Sequence, residues 1–148
     1  MKTPMLSAHF SFNELTDSDR FPGLVEKNRF EAACFTGKLR LLCLKILEPI
    51  REQFGPVKVD SGYRCPALNK ADKGSENSQH LKAEAADIVV PGQDLDQVFA
   101  WIKTSGIEFG QLIREPGWIH VSLGEPYRPE EKCGQVLRST DGKTYTPA

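Results

Sequence analysis

At Gly55-Pro56 the hydrophobic period of this chain changes, and the change limits what it can fold into. Before it, from about residue 27 to residue 54, Phe30, Leu39, Leu42, Cys43, Ile46, Ile50 and Phe54 recur at three- and four-residue steps. That is the period of an amphipathic helix. Gly37 and Pro49 interrupt the pattern, so a break or kink is expected near Pro49, where a helix loses a backbone donor. Gly55-Pro56 stops it. After it, Val57-Lys58-Val59-Asp60 alternates like a half-buried strand. Helices first and strands second predict an α+β fold, with N-terminal helices packed on a small antiparallel sheet. The 148 residues suit one domain with a sizeable core, spanning 1–148.

Local signals fill in the rest. Ser11 and Glu14 have the spacing of a capping box, which predicts a short helix start there. Residues 61–79 are polar and rich in Gly, Ser and Asn, so a loop is expected, with a short helix near 66–70. Residues 85–90 read as a buried strand stopped by Pro91-Gly92. Residues 94–103 read as a helix with Leu95, Val98, Phe99 and Ile102 on one face. Residues 109–114 and 118–123 read as strands joined by a tight turn at Glu115-Pro116-Gly117-Trp118. Residues 134–138 and 144–146 are expected as edge strands around the Asp141-Gly142 turn.

Composition excludes several function classes. Nineteen basic residues stand against 20 acidic ones, a formal net charge of -1. Such a balance carries no nucleic-acid footprint and no polybasic membrane patch. No apolar run approaches the roughly 18 residues that span a bilayer, so no membrane insertion is expected. Residues 1–10 hold Lys2, Pro4, Ser7 and His9 and no apolar core of a signal peptide. The expectation is synthesis in a cytoplasm without a signal peptide, with release to a cell wall by a phage-type route left open. The four cysteines, Cys34, Cys43, Cys65 and Cys133, form no C-x-x-C pair and are expected as free thiols. Cys34 and Cys43 read as small core residues. The oligomeric state is left open.

Three polar residues sit where polar residues are costly. Asp87 lies among Ala85, Ala86, Ile88, Val89 and Val90, and a carboxylate buried there needs a partner or a metal. His120 lies in the apolar run Trp118-Ile119-His120-Val121-Ser122-Leu123. His80 precedes Asp87 by seven positions, in a loop that can fold back over the strand face. A lone histidine in an apolar strand is more often a satisfied core residue than a ligand. Two imidazoles and one carboxylate, however, are a ligand set for catalytic zinc with an open position. If Glu115 to Trp118 is a four-residue turn, Ile113 faces His120 and Glu115 shares that face. Glu115 would then stand beside the metal as a proton acceptor; the bland alternative is a solvated turn glutamate. Arg64, opening the polar loop, has a guanidinium fork suited to a substrate carboxylate, or simply to a neighbouring acid.

These motifs resemble a known family. Ser61-Gly62-Tyr63-Arg64-Cys65-Pro66-Ala67-Leu68-Asn69, Gly74-Ser75, Ser78-Gln79-His80, Ala85-Ala86-Asp87-Ile88, Gln111-Leu112-Ile113 and Trp118-Ile119-His120-Val121-Ser122 look like the M15 family of zinc peptidases. They are most similar to its small phage- and prophage-associated branch, which resembles zinc D-Ala-D-Ala carboxypeptidases. The resemblance spans about residues 12–123. It implies a hedgehog/DD-peptidase-like fold and Zn2+ held by His80, Asp87 and His120. It further implies a carboxylate-binding arginine at Arg64, an acidic base before the last histidine, and a peptidoglycan stem peptide as substrate. Ser78, Gln79 and Trp118 are expected on the substrate side, with Ser78 or Gln79 near the developing oxyanion. Two positions depart from the family pattern. Where many members carry the base, three residues before the last histidine, this chain has Gly117, and Glu115 is the only nearby acid. Where many have glycine, between His80 and Asp87, it has Ala83, which calls for a negative φ. The alternative to a peptidase is a non-catalytic module on the same fold, binding zinc or cell-wall peptide, or a phage particle component.

Overall fold

The computed structural model describes residues 4–148. Residues 1–3, which belong to the N-terminal segment expected to lack a signal peptide and to the expected domain 1–148, lie outside the described residues. The fold is α+β, as the change of period at Gly55-Pro56 predicts. The helical half runs almost without interruption through α1 (Val25–Ala32), α2 (Thr36–Leu42) and α3 (Glu48–Phe54). A 3-10 turn (Ala33–Phe35) joins the first pair and a π-turn (Cys43–Leu47) the second. The π-turn lies just ahead of Pro49, where the missing backbone donor breaks helical bonding. Leu39, Leu42, Cys43, Ile46 and Ile50 are buried as the period requires.

Phe30 and Cys34 depart from the expected core: Phe30 is 83% exposed and Cys34 is exposed. The 3-10 turn between α1 and α2 advances the helix by fewer residues per turn, which resets the phase. Upstream of it, Asn28 and Ala32 face inward instead. The capping-box bonds between Ser11 and Glu14 form in both directions, but no helix follows them. The carbonyls of Leu15 and Thr16 are committed elsewhere, to Tyr63 N–H at 2.8 Å and to Asn28 Nδ2 at 2.8 Å.

The second half supplies β1 (Lys58–Ser61), α4 (Pro66–Ala71), β2 (Ala85–Val89), α5 (Leu95–Thr104), β3 (Phe109–Arg114), β4 (Ile119–Leu123), β5 (Gln135–Arg138) and β6 (Thr146–Pro147). Asp94 caps α5 by accepting bonds from the Asp96 and Gln97 N–H groups. The strand order is β1-β2-β4-β3-β5-β6. The sheet is mixed rather than purely antiparallel, because β5 runs parallel to β3. β4 carries the chain back along β3, and residues 124–134 then pass the start of β3, where Gly134 N–H donates to the Phe109 carbonyl at 3.0 Å; a parallel pair requires such a return.

Alternation along the strands separates core from site. Ala86 and Ile88 of β2, with Ile119, Val121 and Leu123 of β4, join Leu39, Leu42, Ile46 and Ile50 in one core. Each fully buried aliphatic side chain contributes roughly 1.5–3 kcal/mol. Asp87 and His120 take the intervening positions, and they pair directly across β2 and β4. Both therefore stand on the face away from the core packed against α2 and α3. No helix among the described residues is long and apolar enough to cross a membrane.

Candidate metal centre

His80 reaches the open sheet face through a short turn. Ser78 caps the 3-10 segment Gln79–Lys82, its Oγ accepting from His80 N–H at 3.2 Å. Ala83 ends the segment with φ 60° and ψ 33°. The expected negative φ is thus overturned: Ala83 is left-handed. Its N–H donates to the His80 carbonyl and that of Glu84 to the Gln79 carbonyl, satisfying the orphan carbonyls of the turn. This reversal lets β2 begin two residues later with His80 folded over it.

Three acceptors then converge. His80 is 2% exposed, and its Nδ1 lies 2.7 Å from the Gly62 carbonyl. A carbonyl only accepts, so Nδ1 carries the proton. Burial holds the His80 pKa below its ordinary value, the nearby Asp87 offsetting part of this, and the ring is neutral. Its bare Nε2 therefore aims at Asp87 Oδ1, 3.2 Å away. On the other side, His120 Nε2–H donates to Gln79 Oε1 at 3.1 Å, which leaves Nδ1 facing the same Asp87 oxygen at 3.0 Å. Burial opposes charge on Asp87, yet attraction to the two imidazoles when they carry a proton toward it, and their hydrogen bonds, outweigh burial and hold its pKa well below the carboxylate range. A proton on a facing nitrogen or a metal ion between the three groups makes this approach of carboxylate and imidazoles favourable. The ligand atoms of His80, Asp87 and His120 lie within 4.8 Å of one another. This N, N, O set with outer partners on both rings fits a zinc ion.

Arg64 borders the centre. It is mostly buried, its NH2 donates to Ser78 Oγ at 3.3 Å, and its Nε has no protein partner. Burial lowers its pKa, and Asp87 and Asp72 draw it back up. The loop that carries it is bolted by Asn28, a residue that sequence reasoning missed. Asn28 is 0% exposed; its Nδ2 donates to the Thr16 and Tyr63 carbonyls and its Oδ1 accepts from Cys65 N–H at 2.7 Å. Its place in an otherwise helical pattern gave no signal, because the inward face of α1 is set by the phase reset. Gly62 is required by close approach: a Cβ there would stand 2.3 Å from the Leu15 carbonyl oxygen.

Glu115 follows the turn geometry read from the sequence. Ile113 pairs with His120, and Glu115 N–H donates to the Trp118 carbonyl at 3.0 Å. The glutamate is 6% exposed rather than solvated. Its Oε1 accepts from the Tyr145 hydroxyl at 2.9 Å and its Oε2 has no protein partner. Burial raises its pKa, with Tyr145 lowering it and Asp87 raising it. Tyr145, the second missed residue, comes from a C-terminal stretch with no recognisable motif.

His80, Asp87, His120, Arg64, Glu115 and Tyr145 line one cleft of about 740 Å³. Ser78, Gln79 and Trp118, expected on the substrate side, line it too. Ser78 and Gln79 are occupied by Arg64 and His120, so the structure gives them a share in holding the site. Trp118 is half-buried and also borders an adjoining cleft with Arg64, Asp72 and Asp87. Chemically, the arrangement offers a metal position, a buried carboxylate with one free oxygen, and a guanidinium with a free N–H.

A search of curated proteins finds no match to this chain. A family model described as Peptidase M15 matches residues 8–122, which includes His80, Asp87, His120, Arg64 and Glu115. With that match over most of its length, the chain belongs to the Peptidase M15 family.

Proposed function

We propose that this chain is a zinc-dependent peptidase that hydrolyses peptidoglycan stem peptides, as a D-Ala-D-Ala carboxypeptidase or a related endolysin-type peptidase. M15 peptidases are typically zinc-dependent, and the His80, Asp87, His120 cluster suits a metal. The carrying observation is the convergence of two imidazole nitrogens and the Asp87 oxygen within 4.8 Å of one another, the N, N, O set that suits a catalytic zinc.

When bound, zinc supplies a Lewis acid that polarises the scissile carbonyl and acidifies the attacking water. The chain's own residues do the rest. Glu115 takes the water's proton on its free Oε2 and passes it to the leaving amine. Its raised pKa suits both tasks, since a base near the working pH also returns the proton. Arg64, anchored by Ser78 Oγ at the edge of the cleft, offers its guanidinium to a substrate carboxylate. Trp118 offers an apolar wall between the two clefts.

A non-catalytic binding module on the same fold is favoured by one feature, Gly117 in the usual place of the base. The buried, half-free Glu115 carboxylate weighs against it. Zinc content measured together with hydrolysis of a muropeptide separates the two readings. His120→Ala should lose both zinc and hydrolysis; retained hydrolysis would overturn the proposal. Zinc binding by the wild type with no turnover would establish the binding module.

A further inference from the structure

The family match ends at residue 122, yet Tyr127, Arg128, Lys132, Gly142 and Tyr145 line the same cleft as the metal cluster. The C-terminal segment is therefore a wall of the site, and its register is set from the site itself. Ser139 N–H donates to the Arg114 carbonyl at 2.9 Å, one residue before Glu115. Arg138 pairs with Arg114 on one side and with Thr146 on the other. Between them, Asp141 Oδ1 accepts from the Lys143 and Thr144 N–H groups, and Gly142 N–H donates to Ser139 Oγ. This closed turn delivers Tyr145 immediately ahead of β6, with its hydroxyl 2.9 Å from Glu115 Oε1.

Resting on the peptidase reading, we propose that Tyr145 is a positioning residue for Glu115: its phenol holds Oε1 and leaves Oε2, buried and without a protein partner, as the oxygen that takes the proton. A carboxylate at the end of two methylenes can rotate, and either oxygen could turn into the cleft. Anchoring one of them removes that freedom, and orientation of a proton acceptor is worth rate. The other groups that face Glu115 are Asp87 of β2 and His120 of β4. Neither is a free donor toward it once both face a metal, so Tyr145 supplies the hydrogen bond that orients it.

The test is Tyr145→Phe in the full chain, which keeps the ring and removes the hydroxyl. In the zinc-loaded protein, kcat on a muropeptide should fall about tenfold to a hundredfold, the range for a lost outer partner. KM and zinc content should stay near wild type, and the acidic limb of kcat/KM should move to higher pH. A wild-type kcat and pH profile in Tyr145→Phe would overturn the proposal. A second readout does not depend on activity: the side-chain carboxyl resonance of Glu115 in zinc-free protein, followed by carbon-13 NMR against pH. It should titrate higher in Tyr145→Phe; an unchanged titration overturns the contact. If the resonance moves while the wild type hydrolyses nothing, the hold stands and the peptidase reading falls.

Discussion

Gln79 Oε1 lies 3.1 Å from His120 Nε2, on the opposite edge of the ring from Asp87. The bond selects one tautomer and turns the Nδ1 lone pair toward the cluster. A side chain expected to face substrate thus acts through a ligand. Gln79→Leu should keep the fold and lower zinc affinity about 10- to 100-fold, as loss of an outer partner does. Competition against a chromophoric chelator measures it; an unchanged affinity would show that His120 is oriented by Asp87 and the strand alone.

Glu115→Gln should retain zinc and lose hydrolysis by a factor of about 10²–10⁴, the usual worth of a positioned base. In the wild type, kcat/KM should rise with pH through the Glu115 ionisation, because only the carboxylate accepts a proton. Burial places that step above the ordinary glutamate range. The same limb should vanish from the residual activity of Glu115→Gln. Steady-state rates across pH decide both points.

Asn28→Ala should cost roughly 3 kcal/mol or more. It deletes three buried hydrogen bonds and strands the Thr16 and Tyr63 carbonyls and the Cys65 N–H, at about 1–3 kcal/mol each. Urea unfolding measures the loss. Below the unfolding transition, KM should rise as well, because the loop that aims Arg64 is loosened.

Ala83 separates strain from packing. A left-handed alanine costs about 1–2 kcal/mol. Ala83→Gly relieves that, but gives up a buried methyl worth about 0.8 kcal/mol and adds unfolded-state freedom worth about 0.5–1 kcal/mol. The terms nearly cancel, so stability should stay within about 1 kcal/mol. Ala83→Val should destabilise by more than 2 kcal/mol, since a β-branched residue at φ 60° is strained and the site is fully buried. Thermal melts of the two variants give the comparison.

Zinc removal should make the protein acid-sensitive. The His80 pKa is depressed in the fold by burial, so between the ordinary histidine value of about 6.5 and that lower value the unfolded chain binds a proton the folded chain refuses. Stability therefore falls as pH drops through that window, by up to about 1.4 kcal/mol per pH unit. The depressed Asp87 pKa adds a loss of the same sign below its ordinary range. Melting temperature against pH, with and without chelator, should show a steeper acid decline than in the zinc-loaded protein.

Residue patterns alone were enough for the order of helices and strands, for β3, β4 and their turn, and for the three cluster residues. Each of those rests on local chemistry: period, turn residues, and the cost of a polar group in an apolar run. Asp87 was legible because a carboxylate in a buried strand needs a counterpart. Pairing across β2 and β4 then placed it beside His120. What only the tertiary structure decided depends on contacts distant in sequence. The phase reset at Ala33–Phe35 turned Phe30 outward and Asn28 inward. The parallel return of β5 brought Tyr145 to Glu115 across 30 positions. Gln79 was visible as a polar neighbour of His80, but its partner, His120, lies on β4, 41 positions away. A sequence shows which groups are costly to bury; which group relieves that cost is set by register and chain return, and those are properties of the assembled sheet.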